Sequence, residues 1–256
     1  GTVTAFWSNS YTLGTHGGTN ANGETRVSWN WSANGAGSSN SDGSITSTVS
    51  ANTTAGFSIV KYTGTGSAAT VGHGLGAVPK MFITKKLNTS ESWGVYHNTQ
   101  GAGKFLRLEG NNAVDTSTTV WNNTTPTSSV FSIGTGGISN TSGQDYIAYC
   151  FAEKTGYSKF GSYTGNGNAD GTFVYTGFKP AFVMNKKTDG TMDWHIWDNK
   201  RNSYNVINKL VYPNLSNAED TLTSLDFVSN GFKIKANNSF LNASGSPYIY
   251  MAFGQS

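Results

Sequence analysis

The sequence predicts an all-β protein made of tandem antiparallel β-sandwich repeats, jelly-roll-like, with minimal helix. Three observations carry that expectation. The first is self-repetition: Tyr62-Thr63-Gly64-Thr65-Gly66 returns as Tyr163-Thr164-Gly165-Asn166-Gly167, 101 residues further on. At the same offset Gly76 falls on Gly177, Pro79 on Pro180, Lys85-Lys86 on Lys186-Lys187 and Trp93 on Trp194. A match of that length marks a repeated structural unit. The second is a rhythm of short alternating stretches separated by glycine turns at roughly 8–12 residues, the pattern of a sandwich or barrel. No stretch sustains the 3.6-residue period of an amphipathic helix. The third is composition. Charged residues are only 12% of the chain, but aromatics are 13%, and seven Trp, twelve Tyr and fourteen Phe suffice to fill cores that a disordered polar chain lacks.

Residues 1–34 are expected to be the closing part of a preceding repeat. Residues 23–31 resemble residues 143–151 and 245–253: Val27 aligns with Ile147 and Ile249, and Trp31 with Phe151 and Phe253. With a start at Gly1 and no initiator Met, the chain reads as the C-terminal piece of a longer repeat protein. Residues 35–56 are small, polar and Gly/Ser-rich, the composition of a linker, although Ile45-Thr46-Ser47-Thr48-Val49 alternates enough for a short strand.

Residues 57–155 form the first complete β-sandwich repeat. Strands are expected at 57–62, 80–85 behind Pro79, 93–97, 104–109, 130–133 and 146–151, with Gly64 and Gly66 making the first turn. Residues 156–256 repeat the plan, with strands at 181–184, 193–197, 205–212, 224–228, 231–235 and 248–253. Between Trp93 and Phe131 the copies drift. Ala113 pairs with Ala218, while Phe131 is matched to Phe227, so insertions concentrate in the middle connections.

Composition also excludes function classes. Net charge is +3 and the basic residues are scattered, so nucleic-acid binding is not expected. No window is long and apolar enough for membrane insertion. Cys150, in an apolar strand, reads as a buried inert thiol. Gly64-Thr65-Gly66 lacks the helix and the Lys-Ser/Thr of a phosphate loop and reads as turn chemistry. His73, opposite Val174 by offset, reads as a loop histidine. Asp193 and His195 share a strand face, but two ligands are too few for a metal, and a structural role is the better reading. The acids are dispersed, and no nucleophile elbow is present. The chain is therefore expected to be no enzyme, with no catalytic, metal or cofactor-binding residues and no cofactor.

Several strings carry a resemblance. They are Asp42-Gly43-Ser44-Ile45-Thr46, Gly74-Leu75-Gly76-Ala77-Val78-Pro79, Tyr146-Ile147-Ala148-Tyr149-Cys150-Phe151 and Gly156-Tyr157-Ser158-Lys159-Phe160-Gly161. Together they resemble a repeat family encoded by marine bacteriophages, found in long structural proteins of the tail and tail-fibre type. The resemblance spans residues 20–253 and implies a virion location, at the particle surface or a tail appendage and extracellular once assembled. It implies a non-enzymatic structural protein, a tail-fibre segment used in host attachment. Alternatives are a capsid-associated or decoration protein and a polysaccharide-binding or -degrading tailspike. The partners it implies are other virion subunits, a homo-oligomer such as a trimer, and a host-surface glycan. Sugar contact is expected in the loops 97–104 and 198–205, at His97, Asn98, Gln100, Asp198, Asn199, Arg201 and Tyr204, where rings and amides can stack and hydrogen-bond.

Overall fold

A computed structural model describes residues 2–7 and 10–255. Gly1, Ser8, Asn9 and Ser256, which belong to the expected segments 1–34 and 156–256, lie outside the described residues. The chain divides into two compact units, Gly1–Trp31 and Ser32–Ser256. It is all-β, with antiparallel sheets and, among the described residues, three helices of one turn each.

In the first unit, β1 (Val3–Phe6) pairs with β2 (Tyr11–Leu13), followed by the helical turn α1 (Gly17–Asn20). The strand expected at 23–31 does not form: none of residues 24–34 lies in a strand. In both later copies that strand is ladder-bonded on its two sides, whereas the described residues before it form strands only in the β1–β2 hairpin. A strand with the right side chains but no ladder partner does not persist.

The second unit opens with β3 (Ser38–Asn40) and β4 (Ser47–Asn52). These correct the linker expectation for residues 35–56. β4 pairs with the next strand in full register, and Ile45 and Val49 are buried in the first core. Alternation outweighs the Gly/Ser composition here, because Ser47 and Val49 face inward while Thr48 faces water.

The first half then runs β5 (Phe57–Thr63), β6 (Ala69–Gly72), β7 (Pro79–Lys86), β8 (Gly94–His97), β9 (Lys104–Arg107), β10 (Asp115–Thr116), β11 (Val130–Ile133), α2 (Gly137–Asn140) and β12 (Asp145–Ala152). The second half runs β13 (Ser158–Thr164), β14 (Phe173–Tyr175), β15 (Pro180–Lys187), β16 (His195–Asp198), β17 (Ile207–Leu210), β18 (Asp220–Val228), β19 (Gly231–Ile234), α3 (Ser239–Asn242) and β20 (Pro247–Gly254). One large sheet of the first half has the order β10-β9-β8-β7-β12-β5-β4-β3, and β11 pairs with β6 opposite it. In the second half the sheets are β13-β20-β15-β16 and β14-β19-β18-β17, eight strands in two layers as in a jelly roll. In both, the last strand lies between the first and the third.

Each half has its own core between its two sheets. Tyr62, Phe82, Trp121, Phe131 and Tyr146 anchor the first, and Tyr163, Trp197, Phe227, Phe232 and Tyr248 the second. The rings meet edge-on, as in Phe82–Trp121 at 4.8 Å and 77° or Phe232–Tyr250 at 5.4 Å and 84°. The counterpart of Phe131 is thus Phe232 on β19, not Phe227, because β18 is a separate inner strand.

The outer faces of the two main sheets are buried as well, against each other. Phe151 of β12 packs on Phe160 of β13 at 5.9 Å and Phe253 of β20 at 6.1 Å. Met81, Phe182 and Met251 are buried yet belong to neither core. The Trp194 indole N–H donates to the Arg107 carbonyl at 2.9 Å, and Val114 N–H donates to the Thr188 carbonyl at 2.9 Å. This aromatic seam makes one body of the two halves.

Candidate functional site

The repeated Tyr-Thr-Gly stretch ends each opening strand and is riveted to the one-turn helix near the end of the same half. The Tyr62 hydroxyl donates to the Ser139 carbonyl at 2.8 Å, and that of Tyr163 to the Leu241 carbonyl at 2.9 Å. Each ring stacks on a tyrosine of the closing strand, Tyr62 on Tyr146 at 5.2 Å and Tyr163 on Tyr248 at 4.9 Å. The last helical residue is a buried asparagine. Asn140 Oδ1 accepts from Thr65 N–H (2.7 Å) and Gly66 N–H (3.3 Å), and its Nδ2 donates to the Ser67 and Gly134 carbonyls, both at 2.6 Å. Asn242 repeats this with Asn166 N–H (2.9 Å) and the Asn168 and Ala236 carbonyls. Even in the first unit Asn20 Nδ2 donates to the Gly14 carbonyl at 2.9 Å. At Gly64 and Gly165 a Cβ would overlap the carbonyl oxygens of Thr141 and Ala243, so only glycine lets the chain pass. The side chains of Tyr62, Thr63 and Thr65 and the N–H groups of Gly64, Thr65 and Gly66 are all bonded within the fold.

The residues expected to touch a ligand mostly turn inward. His97 is 1% exposed. Its Nε2 donates to the Tyr250 carbonyl across the seam at 3.2 Å, and its Nδ1 lies 2.9 Å from the Thr99 hydroxyl. Burial pulls its pKa down to about 4, so the ring is neutral at pH 7. Asn98 is half-buried and donates its N–H to the Lys80 carbonyl, while Gln100 N–H closes the turn onto the His97 carbonyl. Asp198 is buried. It accepts from the N–H groups of Lys200 (3.0 Å) and Arg201 (2.9 Å) and from Arg201 Nε at 2.7 Å. The Arg201 guanidinium also bonds Glu219 and the Ile196 carbonyl, which spends it as a loop clamp. Asn199 Nδ2 reaches Gln255 at 3.5 Å. Only Tyr204 stands out, 86% exposed. Of the expected contact residues, His97, Asp198 and Arg201 thus have side chains bonded within the fold, Asn98, Gln100 and Asn199 are half-buried, and Tyr204 is exposed. Their Asp, Arg and His pair with neighbours made by the fold, which spacing cannot show.

Other groups with chemical potential are likewise engaged. His195, pulled down to about 4 by burial, stacks on Phe240 at 4.5 Å and meets Tyr212 edge-on. Asp193 accepts from Asn214 Nδ2 at 2.7 Å. Lys186 is fully buried, donates to the Lys187 carbonyl and is drawn down to about 8 by desolvation. The Cys150 thiol is raised to about 12 by burial. His73 Nε2 donates to the Thr127 carbonyl at 3.2 Å. Its register counterpart is Thr176, since Val71 opposite Phe131 matches Val174 opposite Phe232. Among the described residues, no group of three His, Cys, Asp or Glu side chains is placed to hold a metal.

The exposed rings lie elsewhere. Phe173 (46% exposed) and Tyr175 (63%) flank buried Val174 on β14, the edge strand of its sheet. Their alternation is visible in the sequence, but their place at an edge requires the topology.

A family model described as a domain of unknown function (DUF7483) matches residues 1–256. The chain belongs to the DUF7483 family. No curated protein and no solved structure matches it. In this DUF7483 chain the exposed rings include Phe6, Trp7, Phe173, Tyr175 and Tyr204.

Proposed function

We propose that this chain is a non-enzymatic structural segment of a phage virion, part of a tail-fibre or similar appendage that contacts the host surface. The observation that carries the reading is the aromatic seam, which fuses successive sandwiches back to back into one stiff body. An appendage that must transmit contact over distance needs rigid junctions, and ordinary inter-domain interfaces leave relative motion. The resemblance to marine-phage tail repeats points the same way. Ligand contact in this reading is weak and multivalent, with exposed rings such as Tyr204 stacking on host glycan and homo-oligomeric assembly raising effective concentration.

The test is localisation. Antibodies raised against the chain are expected to label the tail of intact particles in electron microscopy and to slow adsorption to host cells. Label confined to the capsid shell would instead support a decoration protein. Cleavage of host polysaccharide by the purified chain would support the tailspike alternative.

A further inference from the structure

The first unit repeats the turn that closes each later half, but without the strand which that turn holds. At an offset of 120 residues Gly14, Asn20 and Gly23 fall on Gly134, Asn140 and Gly143, and a further 102 brings Ala236, Asn242 and Gly245. In all three places the asparagine Nδ2 donates to the carbonyl six residues back: Asn20 to Gly14, Asn140 to Gly134 and Asn242 to Ala236. The asparagine N–H donates to the carbonyl of the residue before the helix, His16, Gly136 or Asn238. The glycine after it has φ of 76°, 70° and 75° in turn. Arg26 stands where Tyr146 and Tyr248 stand, and its guanidinium donates to the Gly17 carbonyl at 2.9 Å as their hydroxyls donate to Gly137 and Ser239.

The later copies show what such a turn receives. The Tyr62 hydroxyl bonds the Ser139 carbonyl and Thr65 N–H bonds Asn140 Oδ1. Gly64 N–H bonds the Gln144 carbonyl at 2.8 Å, and the Gly64 carbonyl accepts from Gly143 N–H at 2.9 Å. Tyr163, Asn166 and Gly165 make the same bonds to Leu241, Asn242, Ser246 and Gly245. The matching groups of the first unit are the Thr19 carbonyl, Asn20 Oδ1, the Glu24 carbonyl and the Gly23 N–H, and none of them is bonded to another described residue. Asn20, Gly23 and Glu24 are exposed.

The side chains that differ still suit the same guest. Tyr146 and Tyr248 stack on the incoming tyrosine at 5.2 and 4.9 Å, and the planar guanidinium of Arg26 also stacks on a tyrosine face. Ser28 and Asn30 replace Ala148 and Cys150 with little change in size. In the register of β12 on β5, Asn30 falls opposite the place of Ser58, whose hydroxyl can bond an amide.

We propose that residues 19–31 are the acceptor for the opening strand of a further repeat of this kind, an extended segment ending in Tyr-x-Gly-x-Gly. Its tyrosine hydroxyl bonds the Thr19 carbonyl, its first glycine bonds the Glu24 carbonyl and the Gly23 N–H, and the next N–H bonds Asn20 Oδ1. Residues 25–31 then pair antiparallel with the strand before the turn, as in strand addition generally. The inference goes beyond the virion reading and does not rest on it.

The probe is a synthetic peptide with the sequence of residues 57–67, titrated into the full chain and followed by amide hydrogen exchange. The expected result is saturable binding that protects the Gly23 amide. A peptide carrying Gly64→Ala, whose Cβ would meet the carbonyl of residue 21, should bind about tenfold more weakly, and one carrying Tyr62→Phe about fivefold. In the chain, Asn20→Ala changes an exposed side chain and should weaken binding about tenfold with Tm unchanged. The peptide variants leave the chain untouched and decide the matter if that variant misfolds. Failure to bind, protection only at the Gly143 or Gly245 amide, or equal affinity of the Gly64→Ala peptide overturns the proposal. So does concentration-dependent protection of the Gly23 amide without peptide, which assigns the site to a second copy.

Discussion

The two halves of the second unit share a frame and differ in what they hang on it. In both, the closing strand lies between the first and third strands, and a tyrosine pair with a buried asparagine locks the first turn to a one-turn helix. After the fourth strand they part. The first half extends its main sheet with β9 and β10, whereas the second sends β17 and β18 into the opposite sheet. The first half also carries β3 and β4 on its other edge, for which the second has no counterpart. The lesson is that the rivet fixes the fold while the middle connections choose which layer to thicken.

The largest expected effect comes from removing the rivet. Asn140→Ala and Asn242→Ala each strand several buried main-chain groups and should cost about 4 kcal/mol of unfolding free energy in denaturant titration. Near-equal losses would make the two rivets equivalent; a loss below about 1 kcal/mol at either would break the comparison.

Acid should act on both halves through their buried histidines. Burial holds His97 and His195 at about 4, below the ordinary histidine value of 6.5, so the unfolded chain binds more protons in that interval. Their contribution is complete above pH 6.5 and is lost as pH falls toward 4, on the order of 3 kcal/mol for each. Unfolding free energy measured from pH 7 to pH 4 should fall accordingly, and the fall should shrink by about half in His97→Gln. A flat profile would remove both histidines from the account.

Trp194 and Trp93 occupy equivalent positions but different surroundings. Trp194 is 1% exposed and bonded across the seam, while Trp93 is half-buried with the Lys85 ammonium 5.9 Å from its ring centre. Trp194→Phe should cost about 2 kcal/mol and Trp93→Phe about 0.5. Equal losses in thermal unfolding would deny the seam its role. The smallest effect separates the tyrosines: Tyr62→Phe loses one hydrogen bond, about 1 kcal/mol, and Tyr163→Phe somewhat more. Tyr163 also accepts from Asn185 Nδ2 at 3.1 Å, so that variant loses two bonds, and Asn185 Nδ2 keeps the one to the Phe240 carbonyl at 3.3 Å.

Much of the frame was legible because it rests on local chemistry. Gly64 and Gly165, the two tyrosines and the prolines before β7 and β15 mark turns and strand starts wherever they occur. What escaped the sequence was pairing. Phe151 and Phe253 look like core residues of separate sandwiches, and only the stacking of the sheets makes them a seam. Residues 35–56 have the composition of a linker and the register of a strand, and burial of Ile45 and Val49 decides between them. Asp198 and Arg201 look like ligand groups because the salt bridge that neutralises them includes Glu219, on another loop. The strand β14 has a plain sequence signal, Phe173-Val174-Tyr175, but only the topology places it at an edge.

The central position of β12 and β20 also dictates how the chain comes to fold. The end of β5 meets the start of β12 across 82 residues, at Thr63 and Asp145, and until β12 exists β5 and β7 have nothing between them. During synthesis each half is thus a set of hairpins waiting for its final strand, and the sheet can only zip once that strand leaves the ribosome. Such late closure makes folding slow relative to local hairpin formation. It leaves the aromatic outer face of the first half uncovered until the second half has been translated and closed in its turn.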